Sequence, residues 1–358
     1  MIKSILDSTA QRFLKRYIDT ASPTGFEETG AALWFDYIRP YVDTTYTDTY
    51  GTAVAVINPS APYKVVIEAH GDEISWFVNY ISPEGLIYVI RNGGSDHMIA
   101  PSKVVNIHTE KNGVIKGVFG WPAIHTRLRA GKENEKAPAL DSIFIDVGAQ
   151  NKNEVEEMGI QVGDVITYPD EFFTLGKDKY IGRALDNRIG CFMIAQVARL
   201  LHREKIELPY ALYIVNAVQE EVGMNGAKMI ARNIAPDVAI VTDVTHDTST
   251  PGINKITEGE IRCGEGPVIS RAPSVHNHLR QMILDTARTE DIPYQLCAHS
   301  SSTGTDTDAF AFSGIGTASA LISLPLKYMH TTVEMVSRTD VENTIALIYH
   351  SLLSLKEK

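Results

Sequence analysis

Residues 210–223 read YALYIVNAVQEEVG: an apolar run over 210–218 that stops on two adjacent carboxylates, Glu220 and Glu221, ahead of a glycine turn. The run predicts a strand. Successive side chains leave a strand on opposite faces, so the two carboxylates are expected to aim in different directions, one free for a metal and the other for protons. Three more apolar runs end the same way. Residues 65–69 close on His70 and Asp72, 238–242 on Asp243, and 321–326 shortly before His330, while Asp186 lies just ahead of a predicted helix. Open α/β sheets build their sites at the carboxyl ends of strands, and these residues are expected to meet there.

Outward from that stretch, the texture changes along the chain. Residues 9–20 place Phe13, Leu14, Tyr17 and Ile18 on one helical face, and a second helix is expected after the Ser22-Pro23-Thr24-Gly25 turn. Runs 54–57 and 65–69 flank a proline-rich breaker and predict an antiparallel pair. From 74 to 176 short β-type runs (85–90, 104–107, 114–119, 142–147, 164–168) follow one another between glycine turns with no long helix. From 177 onward helices alternate with strands, the pattern of an α/β layer. Ile189, Phe192, Met193, Val197, Leu200 and Leu201 make one apolar stripe, and Thr339-Asp340-Val341-Glu342 reads as a capping box for the last helix. The expected organisation is an α/β domain formed by 1–73 and 177–358, interrupted by a β-rich insertion at 74–176.

The 358 residues suffice for one large or two medium domains with a sizeable core. A net charge of -11 disfavours nucleic-acid and anionic-membrane partners, which reward clustered Lys and Arg. Cys191, Cys263 and Cys297 are odd in number and lack a C-x-x-C spacing, so neither a disulfide framework nor a thiolate metal site is expected. The first twenty residues hold no continuous apolar core of a signal peptide, and no stretch approaches the roughly 18 apolar residues of a membrane span. A cytoplasmic location is expected.

Imidazole and carboxylate donors suit Zn²⁺ and similar ions, and a two-metal hydrolytic site needs a bridging carboxylate. His70-Gly71-Asp72-Glu73, 184–190 (ALDNRIG), Gln219-Glu220-Glu221-Val222-Gly223, Asp243-Val244-Thr245 with Asp247-Thr248 and Pro251-Gly252, and Tyr328-Met329-His330 with Glu334 together resemble the motifs of the M42 metallo-aminopeptidases. The resemblance runs in order through most of the chain. It implies an α/β fold with a mixed sheet flanked by helices and an inserted β-barrel-like, PDZ-like domain used in assembly. Carried over by motif, Asp186 bridges two divalent ions (Zn²⁺ or Co²⁺, with Mn²⁺ also admitted), His70 and Asp243 complete one site, and Glu221 and His330 the other. Glu220 is then the general base and Asp72 orients the His70 imidazole. Gly71 stands where the family usually has Met, Ser75 where it has Gly, Thr52 where Asn is common and Lys327 where Arg is usual. None of these removes a ligand.

The implied reaction is hydrolysis of the N-terminal residue of short peptides: Glu220 takes a proton from water and returns it to the departing amine. Asp306, in a Thr303-Gly304-Thr305-Asp306 segment, is a candidate for orienting substrate, its alternative being a turn residue. His97, His125, His276, His278 and His299 read as ordinary loop or surface residues. Three rival readings stay open: a metal-dependent deacylase or carboxypeptidase on the same core, a glycosidase, and a non-catalytic assembly protein. Adjacent carboxylates suit a glycosidase poorly, since its pair must face the substrate from opposite sides. The resemblance also implies a homo-oligomer, often of twelve subunits.

Overall fold

The computed structural model describes residues 5–129 and 137–355, which fall into two compact units. One comprises the chain up to Glu73, Glu171–Met329, and the chain from Val333 onward; the other comprises Ile74–Asp170 with His330–Thr332.

The strands, in chain order, begin with β1 (Thr44–Thr47), β2 (Ala53–Ile57) and β3 (Lys64–His70). β4 (Ser75–Ile81), β5 (Ile87–Asn92), β6 (Val104–Thr109), β7 (Gly113–Phe119), β8 (Phe144–Asp146) and β9 (Val165–Thr167) follow. Then come β10 (Phe173–Leu175), β11 (Lys179–Gly182), β12 (Ala211–Ala217), β13 (Val238–His246), β14 (Val268–Arg271), β15 (Gln295–Ala298), β16 (Ala318–Lys327) and β17 (Glu334–Ser337).

In the first unit an 11-stranded mixed sheet runs β1-β2-β12-β3-β13-β16-β17-β11-β10, with β14 and β15 branching from β16. Its centre, β12-β3-β13-β16, is parallel. Strand alternation splits its side chains between two apolar layers. Val65, Ile67 and Ala69 of β3 join Val238 and Ile240 of β13 against helices Ser8–Asp19, Glu28–Ile38, Leu185–Arg203 and Arg338–Ser354. Val66 and Val215 join Ala239 and Val241 on the other face, against helix Asn225–Ile234. Both faces being covered explains the near-continuous apolar runs. Parity then places His70 with Val66, and Asp243 with Val241, on one face of the sheet.

Three expectations change. Runs 54–57 and 65–69 do not pair: β12, buried on both faces, enters between β2 and β3, antiparallel to the first and parallel to the second. Helix Leu185–Arg203 is buried nearly all round, at every position from Leu185 to Ala198, rather than along one stripe, because it lies between the sheet and three other helices. The last helix starts at Arg338 with no side-chain cap, so the capping box is not formed. Asp340 instead accepts the N–H groups of Gly264 (2.5 Å) and Gly266 (2.8 Å), tying down a distant loop.

In the second unit β4-β5-β8-β7-β6-β9 close into a wholly antiparallel barrel around Trp76, Ile87, Val105, Ile107, Phe119, Ile145 and Ile166. Closure leaves no unpaired strand edge. No helix of the described residues is long and apolar enough to cross a membrane.

Candidate active site

β3 and β13 pair in parallel from Val65↔Val238 to Glu68↔Val241 and then part. The first turns of helix Leu185–Arg203 are tied to these strand ends: Cys191 Sγ donates to Ala69 O (3.3 Å) and Asn187 Nδ2 to Thr242 O (2.7 Å). The same segment delivers Asp186 between the two strand ends. His70 Nε2 lies 3.3 Å from Asp186 Oδ1, 3.8 Å from Asp243 Oδ1 and 3.9 Å from Glu220 Oε2. Asp186 is not helical (ψ 111), and its N–H donates to Glu334 Oε2 at 3.0 Å.

Asp72, fully buried, is the hub of the constellation. Its carboxylate accepts from Thr24 Oγ1 (2.9 Å) and from the backbone N–H of both Glu220 (3.0 Å) and Glu221 (3.2 Å), and its Oδ1 stands 3.3 Å from His70 Nδ1. β12 ends at Ala217, so Glu220 and Glu221 belong to the turn that follows, not to the strand. Strand alternation therefore does not aim them; the turn and Asp72 do. Ala184, Gln219, Met224 and Tyr328, each within three residues of a candidate, and the candidate His330 itself have positive φ (56 to 62). Such backbone clusters where a site over-determines local geometry. Asp243 lies within β13, beyond the point where β3 leaves it. His330, between β16 and β17, belongs with the barrel unit, where its Nδ1 is 3.2 Å from Gly94 O.

The donor set fits a cation. Ligand atoms of His70, Asp186 and Asp243, all buried, lie within 4.8 Å of one another. Burial above all, with the surrounding carboxylates, pushes Glu220 up to about 8, and burial likewise raises Asp243 well above the usual carboxylate range. Burial works to lower the His70 pKa, but Asp186 and Asp72 outweigh it and raise it well above the ordinary value. Carboxylates crowded in a dry pocket need positive charge, and a divalent ion with a neutral imidazole supplies it in place of protons.

Asp306 is buried beside Glu68. Burial first, then Glu68, raises its pKa well above the ordinary value, and burial takes Glu68 up to about 8. Sequence reasoning missed Glu68, although a charged residue inside the run 65–69 was a visible signal. Thr24 was seen only as a turn residue, and Glu334 was named within a motif without its role as acceptor of the Asp186 N–H. His97 pairs with Arg91 (2.6 Å), and His276 caps helix Asn277–Thr289, in line with ordinary roles.

Known proteins resemble this chain along most of its length. The family model for M42 glutamyl aminopeptidase matches residues 51–347. A lysyl aminopeptidase of Pyrococcus furiosus is 33% identical over 96% of this chain and 96% of its own length. The TET aminopeptidase of the marine archaeon Thaumarchaeota archaeon SCGC AB-539-E09 superposes with a TM-score of 0.90 at 29% identity, over 96% of this chain and 95% of that one. The Pyrococcus horikoshii TET1 peptidase, which can assemble into a tetrahedron or a large octahedral shell, gives 0.83 at 26% identity over 95% and 98%. A buried histidine and carboxylate cluster at the parted ends of a parallel sheet, a closed six-stranded barrel and a family match across most of the chain converge: this protein belongs to the M42 glutamyl aminopeptidase family and is a metal-dependent aminopeptidase.

Proposed function

We propose that this aminopeptidase uses two divalent ions, one held by His70, Asp186 and Asp243 and the other, as the motif resemblance implies, by Asp186, Glu221 and His330, with Glu220 as general base. Asp186 is common to both sets and has two carboxylate oxygens to share. Imidazole and carboxylate donors without a thiolate suit Zn²⁺, Co²⁺ or Mn²⁺. When bound, the ions supply Lewis acidity, which makes water more acidic and polarises the scissile carbonyl. Glu220 accepts the proton of the attacking water and passes it to the departing amine. Asp72 fixes the turn that carries Glu220 and orients the His70 ring. Asp306, buried beside Glu68, is assigned to orienting the substrate.

The observation carrying this reading is the position of Glu220, whose Oε2 stands 3.9 Å from His70 Nε2 on a turn anchored by Asp72, where a carboxylate is suited to shuttle protons. Short peptides with a free amino terminus are the proposed substrates. Acetylation removes both the charge and the basic lone pair that a carboxylate-rich site would bind. The test is a panel of aminoacyl chromogenic substrates, free and N-acetylated, assayed with each metal and after chelation. Release from free substrates alone, lost on chelation and restored by metal, is expected. Faster release of acetate from N-acetyl amino acids would assign the site to a deacylase instead. For the whole protein we propose a closed homo-oligomer of twelve subunits.

A further inference from the structure

Three consecutive backbone N–H groups lead the turn after β12, and all three end on buried carboxylates. Glu220 and Glu221 donate to Asp72, while Gln219 donates to Oε1 of Glu27 at 3.2 Å. Glu27 lies nearly two hundred residues earlier in the chain, at the head of helix Glu28–Ile38, and only 6% of its surface is exposed. The same Oε1 accepts the Gly25 N–H at 2.7 Å, so the carboxyl is fixed to its own loop before it reaches the turn. That loop also carries Thr24, whose hydroxyl donates to Asp72. Gln219 has φ 57, a left-handed conformation that a residue with a Cβ adopts at a cost. It is the residue from which the chain swings Glu220 toward His70.

We propose that Glu27 is a positioning residue for the general base: by holding the Gln219 N–H it fixes the left-handed step that sets the direction of Glu220. This rests on the reading of Glu220 as base. What the geometry needs of Glu27 is an acceptor oxygen rather than a charge. Burial, with the nearby Asp72 carboxylate, pushes the Glu27 carboxyl up to about 7, and its protonated form keeps a carbonyl oxygen able to accept.

The test uses the full metal-loaded protein and the variants Glu27→Ala, Glu27→Gln and Glu27→Asp, with Glu220→Gln in parallel. Steady-state kinetics are read on an unblocked aminoacyl substrate, and hydrogen exchange by mass spectrometry on peptides spanning 218–226. Glu27→Ala should lower kcat by about tenfold with KM within about twofold, since a misdirected base costs the chemical step rather than binding. Its amides at 219–221 should exchange faster. Glu27→Gln keeps the acceptor and should match the parent in both readouts. Glu27→Asp keeps the charge but loses the reach, and should repeat the alanine pattern even where the alanine variant folds poorly. A parent-like kcat or unchanged exchange in both Glu27→Ala and Glu27→Asp overturns the proposal, as does a Glu27→Gln variant as impaired as these. An active Glu220→Gln would bring down the base assignment itself. An inactive Glu220→Gln beside fully active Glu27 variants overturns only the role of Glu27.

Discussion

At the scale of single residues, the turn at 219–223 divides labour between two neighbouring glutamates by backbone geometry. Glu220 and Glu221 share Asp72 as an anchor, and Glu220 has a carboxylate oxygen 3.9 Å from His70 Nε2. Glu220→Gln keeps the shape and the anchor but removes the proton acceptor. Its kcat should fall by on the order of 10² to 10⁴, with metal content and melting temperature unchanged, as checked by elemental mass spectrometry alongside kinetics. A near-parent kcat with metals bound would remove Glu220 from the role. The sequence marks His70, Glu220, Glu221, Asp243 and His330 as candidates because each follows an apolar run, and Asp186 as the residue ahead of a helix. Their aim was not legible there: the left-handed Gln219 and the Asp72 hub are tertiary, and alternation along a strand says nothing once the strand has ended at Ala217.

Among the elements, the ends of β3 and β12 show how a departure from the family pattern is absorbed. A Cβ on Gly71, where Met is usual, would lie 1.9 Å from Asn216 Oδ1. Asn216 pairs in register with Ala69, is buried, and donates from Nδ2 to Tyr17 Oη at 3.0 Å, so it cannot simply swing away. Gly71→Ala should therefore destabilise the protein by about 1–3 kcal/mol through overpacking. Asn216→Ala should cost about 1 kcal/mol through its lost hydrogen bond. The double variant should cost clearly less than the two together, with a coupling of at least about 1 kcal/mol. Melting temperatures of the four proteins check this, and additive losses would show that the two positions do not share the space. Element type was largely readable: the helices, the short strands of the insertion and the alternation of helix and strand after 177 follow from periodicity. Pairing was not. The strand between β2 and β3 arrives from Ala211–Ala217, and Asp340, inside the segment expected to form a capping box, serves Gly264 and Gly266. In both cases a partner distant in sequence outcompetes the local one.

For the whole molecule, the surface argues for association. Phe312 is 72% exposed, Ile315 107% and Ile256 95%, large apolar side chains that a lone subunit leaves in water. Scattered apolar exposure is normal in monomers, but high exposure of both Phe312 and Ile315 within four residues is what a buried contact between copies would use. A closed assembly satisfies such contacts by symmetry, each copy offering the same patch. Light scattering at micromolar concentration should return a mass of about twelve times the 39.5 kDa subunit, and Ile315→Asp should shift the distribution toward smaller species without changing the subunit's melting profile. A site enclosed by such a shell admits flexible chains and excludes compact ones. Short peptides should therefore be trimmed readily, while a stable folded domain with an ordered amino terminus is left intact until denatured. A protein that ran as a 39.5 kDa monomer and still discriminated against folded substrates would place that selectivity in the subunit's own cleft. Efficient trimming of the folded domain by a large assembly would mean that the shell does not limit access at all.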